Sequence, residues 1–191
     1  MGDVRRLLVA RAMVESSVML LHATFADYTA AKWGWDQRAV GLGMALSGAL
    51  SITADLAVMP TLLRASTLDE RHVATGGATL IAAGLNLMIL AAELPLFLVG
   101  LATASLGASL FKAAASTLLL NCAPRGQAGL LSGALDAIEA LCRVGAPLLG
   151  GYLLDAASLE APNAAAMALC ITGGAAMHAA TARVQPKLKR E

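Results

Sequence analysis

Six long apolar stretches constrain the fold of this chain more than any other feature. They lie at about residues 7–31, 38–60, 72–92, 95–121, 127–154 and 163–183. A helix of about 20 mostly apolar residues crosses the hydrocarbon core of a bilayer. The stretches are continuous and rich in Ala and Leu, without the alternation of a transmembrane strand. The sequence therefore predicts an all-α, polytopic membrane protein, with six transmembrane helices in one domain over residues 1–191.

The composition agrees with a surface that faces lipid. Apolar residues make up 58% of the 191 positions, charged residues make up 14%, and the mean hydropathy is +0.68. Soluble domains carry about 25% charged residues, so this chain has too few to coat a globule in water. The net charge of +1 gives no sign of a nucleic-acid partner. We expect the lipid bilayer to be a partner and nucleic acid not to be one.

The sequence carries no recognisable catalytic or metal-binding motif. Cys122, Cys142 and Cys170 are isolated, without a CxxC motif or a histidine at ligand spacing. The motifs of intramembrane proteases, aquaporins and mitochondrial carriers are missing as well. We therefore expect no enzyme activity, no metal site and no cofactor.

The distribution of Lys and Arg predicts the orientation in the membrane. With the N-terminus in the cytoplasm, only Lys32 and Arg38 fall outside. Ten basic residues then fall inside, which are Arg5, Arg6, Arg11, Arg64, Arg71, Arg125, Arg183, Lys187, Lys189 and Arg190. The positive-inside rule thus places both termini in the cytoplasm. Four aromatic residues, Tyr28, Trp33, Trp35 and Tyr152, then fall at the predicted outer interface.

Several ionisable residues lie inside the predicted helices, where a charge near the bilayer centre costs at least about 2.5–3.5 kcal/mol. Arg11, Glu15 and His22 share one stripe of the first helix, within about 40° of one another at 100° per residue. Lys112 of the fourth helix lies at the same depth as Glu15. These residues favour a water-filled path in which Glu15 or His22 carries a proton. The alternative is that they form internal pairs that only fix helix packing.

Other charges predict a network within the bundle. It comprises Asp55 in the second helix and Asp136, Glu139 and Arg143 on one face of the fifth. Glu139 and Arg143 are correctly ordered for an i,i+4 ion pair. Lys112 has either Asp136 or Glu15 as a candidate partner.

The fifth predicted helix carries a recognisable pattern. It begins after Arg125-Gly126-Gln127-Ala128-Gly129 and ends with residues 143–155, RVGAPLLGGYLLD, in which Pro147 is the one proline inside a predicted helix. This pattern resembles the fifth helix of a half of the major facilitator superfamily, closest to drug:proton antiporters and organic-cation-transporter-like solute carriers. The resemblance covers about residues 7–183. The chain resembles the C-terminal six-helix half of such a transporter.

The resemblance implies secondary active transport of a small solute, with coupling to protons as one form of it. Glu15, His22 and Lys112 would then bind substrate or protons, on helices that line the cavity. The fifth helix would border a second six-helix half, in this or another chain. Its bending and packing would depend on Gly145, Pro147, Gly150 and Gly151. The six helices would form two inverted three-helix repeats, at about residues 1–93 and 94–191. The alternative is a non-transporting six-helix scaffold, or a degenerate transporter half.

Overall fold

A computed structural model of the chain describes residues 2–58, 69–122 and 126–188, and these residues are almost entirely helical. The helices are α1 Gly2–Trp33, α2 Gln37–Thr53, α3 Glu70–Leu90, α4 Leu94–Asn121, α5 Ala128–Ala156 and α6 Ala161–Leu188. A π-helical turn, Ala54–Val58, continues α2. Each of the six is long and apolar enough to cross a membrane. The predicted fold class is confirmed, and the chain is a multi-pass integral membrane protein. The predicted end of the second helix, and basic residues such as Arg64, Arg125 and Lys189, lie outside the described residues.

Local sequence explains where the helices begin and end. Gly34 follows α1 with a φ of +66°, a left-handed conformation that suits glycine and ends the helix. Asp36 then caps α2, because its Oδ1 accepts a hydrogen bond from the backbone N of Ala39 at 2.8 Å. Pro95 lies in the first turn of α4, where its missing N–H leaves no intrahelical bond unmade.

The tightest packing joins α3 to α4 through four glycines. An added Cβ at Gly84 would lie 2.5 Å from the backbone N of Ala104, and one at Gly77 would lie 2.6 Å from that of Phe111. Gly100 and Gly107 lie on the facing side of α4, and an added Cβ at either would lie within 3 Å of backbone atoms of α3. Small residues allow this close approach, and close approach supplies the dispersion contact that holds helices together in lipid.

The main helix–helix contacts join the first three helices to the last three. The closest pairs are α3 with α4 and α1 with α6, and α3 also packs on α6. These contacts arrange α1, α6, α3 and α4 in a ring, to which α5 is added at α1 and α2 at α4. Exchanging α1 with α4, α2 with α5 and α3 with α6 leaves this set of pairs unchanged. An inverted repeat has this property, but the division at about residue 93 and the two-fold relation itself stay predictions.

Five aromatic rings close one end of the bundle. Phe97 of α4 lies at the centre, with its ring centroid 6.0–6.2 Å from those of Phe25, Tyr28, Trp33 and Trp35. Tyr28 is therefore buried, not an exposed interfacial ring, and its hydroxyl donates to the Met88 carbonyl at 3.1 Å. Lys32 donates to the Tyr28 hydroxyl at 2.8 Å and to the Ile89 carbonyl at 3.3 Å, so it joins the end of α1 to the end of α3.

Candidate functional site

Arg11 joins α1 to α4 inside the bundle. Its side chain is only 3% exposed, and Nη1 donates to the Lys112 carbonyl at 3.2 Å and to the Ser116 hydroxyl at 2.7 Å. Ser116 in turn donates to the same Lys112 carbonyl at 2.7 Å. A guanidinium this deep needs such acceptors, because bare desolvation of a charge is costly. The Arg11 contacts therefore fix the level of α1 against α4.

Glu15 lies one turn further along α1 and is 5% exposed. It interacts electrostatically with three cations, Arg11, Lys112 and Arg143, and is repelled by Glu139. Within the described residues it accepts no hydrogen bond and forms no ion pair. Glu15 is thus a buried carboxyl group whose compensation comes from neighbouring charge and not from direct contact.

Glu139 connects α5 to the same region. The Lys112 Nζ lies 3.1 Å from its Oε1 and 3.0 Å from its Oε2. Arg143, one turn along α5, reaches Oε1 at 2.6 Å, so the structure contains the i,i+4 pair that the sequence favoured. Lys112 therefore has Glu139 as its ion-pair partner, where the sequence left Asp136 or Glu15. We call Arg11, Glu15, Lys112, Glu139 and Arg143 the charge cluster; it comprises three cations and two acids from three helices.

Asp55 approaches the charge cluster from the π-helical end of α2. Its Oδ1 accepts a hydrogen bond from Ser109 of α4 at 2.6 Å, and Ser109 also lies 3.1 Å from the Ser51 carbonyl. Asp55, Ser109, Lys112 and Ser116 line a shared cavity of about 310 Å³. A carboxylate, an ammonium and two hydroxyls thus meet one open space, which is a suitable environment for a polar solute. π-Helical turns inside α-helices are frequently found at functional sites.

A stripe of polar residues on α4 was missed in the sequence analysis. It consists of Ser105, Ser109, Lys112 and Ser116, spaced four, three and four residues apart. At 100° per residue this spacing keeps all four within about 60°. Ser105 completes it with a 2.8 Å contact to Ser47 of α2. Serine attracts little notice in an apolar helix, but the period of the stripe was visible in the sequence.

The structure leaves two predicted site residues outside direct contacts. His22 lies on the Arg11–Glu15 stripe, two turns beyond Glu15; it is exposed and makes no hydrogen bond within the described residues. Asp136 is exposed on α5 and pairs with no cation among them. The charge cluster therefore contains Glu15 and Lys112 but not His22, while Glu139 and Arg143 belong to it and Asp136 does not.

The α5 glycines and proline differ in what they contact. Pro147 lies within α5, and the helix continues through it. An added Cβ at Gly150 would lie 2.5 Å from Thr24 Cγ2, so Gly150 packs α5 closely against α1. An added Cβ at Gly145 or Gly151 would meet no atom of the described residues within 4 Å, so their role in packing against a second half stays a prediction. Gly145 lines a cavity of about 340 Å³ between α1 and α5, beside Ser16 and Cys142.

Fold and site together define a polytopic membrane protein with a partly buried charge cluster. The model of one protein family, described as PUCC protein, matches residues 45–172, about two thirds of the chain. The chain belongs to the PUCC protein family. No curated protein matches it.

This match corrects the resemblance drawn from the sequence. The assignment to the major facilitator superfamily was wrong, since the family that matches is PUCC and no major facilitator family does. The features that suggested it were the glycines and the proline in the two segments that begin and end the fifth predicted helix, residues 125–129 and 143–155. Any closely packed membrane bundle needs small residues at its contacts, so these features do not identify a family.

Proposed function

We propose that this protein takes part in transmembrane transport of a small solute, with the charge cluster as the place where the solute or a proton binds. The observation that carries this proposal is the buried Glu15 beside the Lys112–Glu139–Arg143 ion pairs. Ionisable groups within membrane-spanning helices are expensive and commonly mark pathways for substrates, ions or protons.

Exposure of the charge cluster supports a pathway more than a purely structural role. The side chains of Lys112 and Arg143 are 51% and 64% exposed, although both lie in the middle part of long apolar helices. Lipid would not solvate these charges, so water or another polar surface must cover them. We propose that a second set of helices, from this or another polypeptide, faces the cluster and encloses the space.

The arrangement of α2 and α5 supports contact with such a second set of helices. They are the least buried helices, and they flank the α1–α4 contact where the charge cluster lies. Each carries large exposed apolar side chains, including Leu42 and Ile52 on α2 and Leu141 and Leu148 on α5. We further propose that both termini lie in the cytoplasm, on the positive-inside rule.

A proton-coupled mechanism follows from the chemistry of the cluster. Glu139 is held by two contacting cations, whereas Glu15 has no direct partner in the described residues, so Glu15 would take up the coupling proton. A neutral Glu15 would no longer attract Lys112 of α4 and Arg143 of α5. These cations would then be freer to bind an anionic group, which would couple proton uptake to solute binding.

Reconstitution into proteoliposomes tests this proposal. The protein would be purified with its native membrane partners retained, and a pH-sensitive dye in the lumen would report proton movement. A panel of small amines, carboxylates and zwitterions would be added across an imposed pH gradient. We expect at least one solute to accelerate proton movement over protein-free vesicles. No acceleration by any member of the panel would contradict the proposal.

A non-transporting membrane scaffold is the second candidate, and one observation favours it. The PUCC family is related to bacteriochlorophyll and photosynthetic complexes. The exposed apolar sides of α2 and α5 would then bind the helices of a larger assembly. Solute-independent co-purification with a pigment–protein complex, together with no proton movement, would favour this function over transport.

A further inference from the structure

A groove between α3 and α6 lies apart from the charge cluster. Its volume is about 450 Å³, within the range of roughly 300–1,000 Å³ that small-molecule sites occupy. Small residues keep it open, namely Ala78 and Ala82 on α3 and Gly174 and Ala175 on α6. The absence of a side chain at Gly174 matters, because an added Cβ would lie 2.9 Å from Ala78 Cβ.

The polar atoms along the groove are already satisfied within the protein. Thr79 donates its hydroxyl to the Gly76 carbonyl at 2.7 Å, and Thr75 donates to the Arg71 carbonyl at 2.9 Å. The Cys170 thiol donates to the Ala78 carbonyl at 3.2 Å. An occupant therefore meets mostly hydrocarbon, which favours an apolar chain over a polar solute.

One end of the groove is cationic. Arg71 Nη2 lies 2.8 Å from Nε2 of His178, which must accept this hydrogen bond because a guanidinium only donates. The Nδ1–H of His178 then faces the Thr75 hydroxyl at 3.4 Å, and this pattern assigns the tautomer. Arg71 Nε is buried and has no hydrogen-bond partner among the described residues, which leaves the two Nη atoms as the donors open to a ligand. His178 lines the groove, and its contact with Arg71 places the guanidinium beside this end of the groove.

The groove and the adjacent Arg71 together span about one leaflet of a bilayer. On α3 the groove is lined from Thr75 to Ala82, and Arg71 lies one turn before Thr75. From Arg71 to Ala82 is eleven residues, or about 16 Å at 1.5 Å per residue. The hydrocarbon core is about 30 Å thick, so this span runs from the membrane surface to about the middle of the bilayer. Arg71 lies in the first turn of α3, which places its charge at the level of lipid headgroups.

We propose that this groove binds a membrane phospholipid, with an acyl chain along α3 and α6 and the phosphodiester on Arg71. Basic pockets between transmembrane helices are known to hold lipid headgroups. The neighbouring Glu70 does not prevent this, because it is turned to α4, where it accepts a hydrogen bond from Asn121 at 3.2 Å. The phosphodiester, and not a net negative headgroup, is the recognised group.

Native mass spectrometry of the full chain tests the proposal without reference to transport. The protein would be reconstituted in vesicles of phosphatidylethanolamine and phosphatidylglycerol and extracted in mild detergent. We expect one retained phospholipid per chain. Ala175→Leu fills the groove and should lower retention at least fivefold, whereas Ala137→Leu makes the same change on the exposed side of α5 and should not. Arg71→Gln should lower retention, and Arg38→Gln, at the other membrane surface, should not.

The two groove variants change different parts of the proposed site, so the experiment can still be interpreted if one of them does not fold. If Arg71→Gln does not fold, Ala175→Leu still changes the groove without touching the Arg71–His178 contact. A retained lipid of either headgroup supports the proposal, because both carry a phosphodiester. Equal retention by Ala175→Leu and Ala137→Leu, or a detergent molecule in place of lipid, would overturn it.

Discussion

Lys112 of α4 and Glu139 of α5 form a two-point ion pair, with the ammonium nitrogen 3.1 Å from one carboxylate oxygen and 3.0 Å from the other. Arg143 binds the same carboxylate from within α5 at 2.6 Å. One acid therefore balances two cations on two helices, and its charge decides whether α4 and α5 are held together at this level.

Glu139→Gln should destabilise the protein measurably. It leaves Lys112 and Arg143 without a counter-charge, and exposed pairs are worth about 0.2–1 kcal/mol each. We expect a loss of about 1 kcal/mol and a fall in Tm of about 2–4 °C in detergent micelles, measured by thermal unfolding. Asp136→Asn is the matched control. It removes one negative charge from the same helix, three residues before Glu139, and Asp136 forms no ion pair within the described residues. Equal shifts in the two variants would show that the pairs contribute nothing specific.

Glu15→Gln should abolish proton-driven solute movement in proteoliposomes while insertion into the membrane stays normal. The substitution keeps the shape of the side chain and removes its capacity to bind a proton. Asp27→Asn, on the same helix but away from the Arg11–Glu15 stripe, should leave the rate unchanged. Unchanged proton movement in Glu15→Gln would exclude this residue as the coupling acid.

Gly84→Ala should destabilise the bundle far more than Gly76→Ala. At Gly84 the added methyl would lie 2.5 Å from the Ala104 N and 2.6 Å from the Gly100 carbonyl, both of them backbone atoms. At Gly76 nothing lies within 4 Å. Overpacking of this kind costs about 1–3 kcal/mol, so only Gly84→Ala should lower the Tm by several degrees. Similar Tm values for the two variants would disprove the backbone contact between α3 and α4.

Single cysteines in a cysteine-free background should reveal the orientation of the chain. A membrane-impermeant maleimide added to intact cells should label position 36, in the α1–α2 turn, from outside. It should label position 5 only after the membrane is permeabilised. Labelling of both positions from the same side would disprove the crossing of α1, and the opposite pattern would reverse the proposed orientation.

The sequence predicted the fold well because membrane helices depend on features that are local. Length, apolar composition and flanking residues such as Asp36 and Pro95 were enough to place six helices. Tertiary contacts were harder to predict. Tyr28 was expected at the outer interface of the membrane, but spacing along the chain did not show that its ring is buried, because Phe97, almost seventy residues later, packs against it.

The site was predicted in part, for a similar reason. Periodicity placed Arg11 and Glu15 on one stripe and Glu139 and Arg143 in one pair, since both relations lie within a single helix. The partner of Lys112 depends on the rotation of α5 against α4, which spacing along the chain does not contain. The phospholipid groove was missed because it is formed by small residues on two helices about ninety residues apart.

The pairing of the first helix with the last has a consequence for how the protein is made. Val14 and the Ala10 carbonyl pack against Gly173, so a neighbour of α1 is synthesised about 160 residues after it. Until then the nascent α1 must carry the charges of Arg11 and Glu15 into the bilayer without its final surroundings. The contacts between α1 and α6 can therefore form only after α6 has been synthesised.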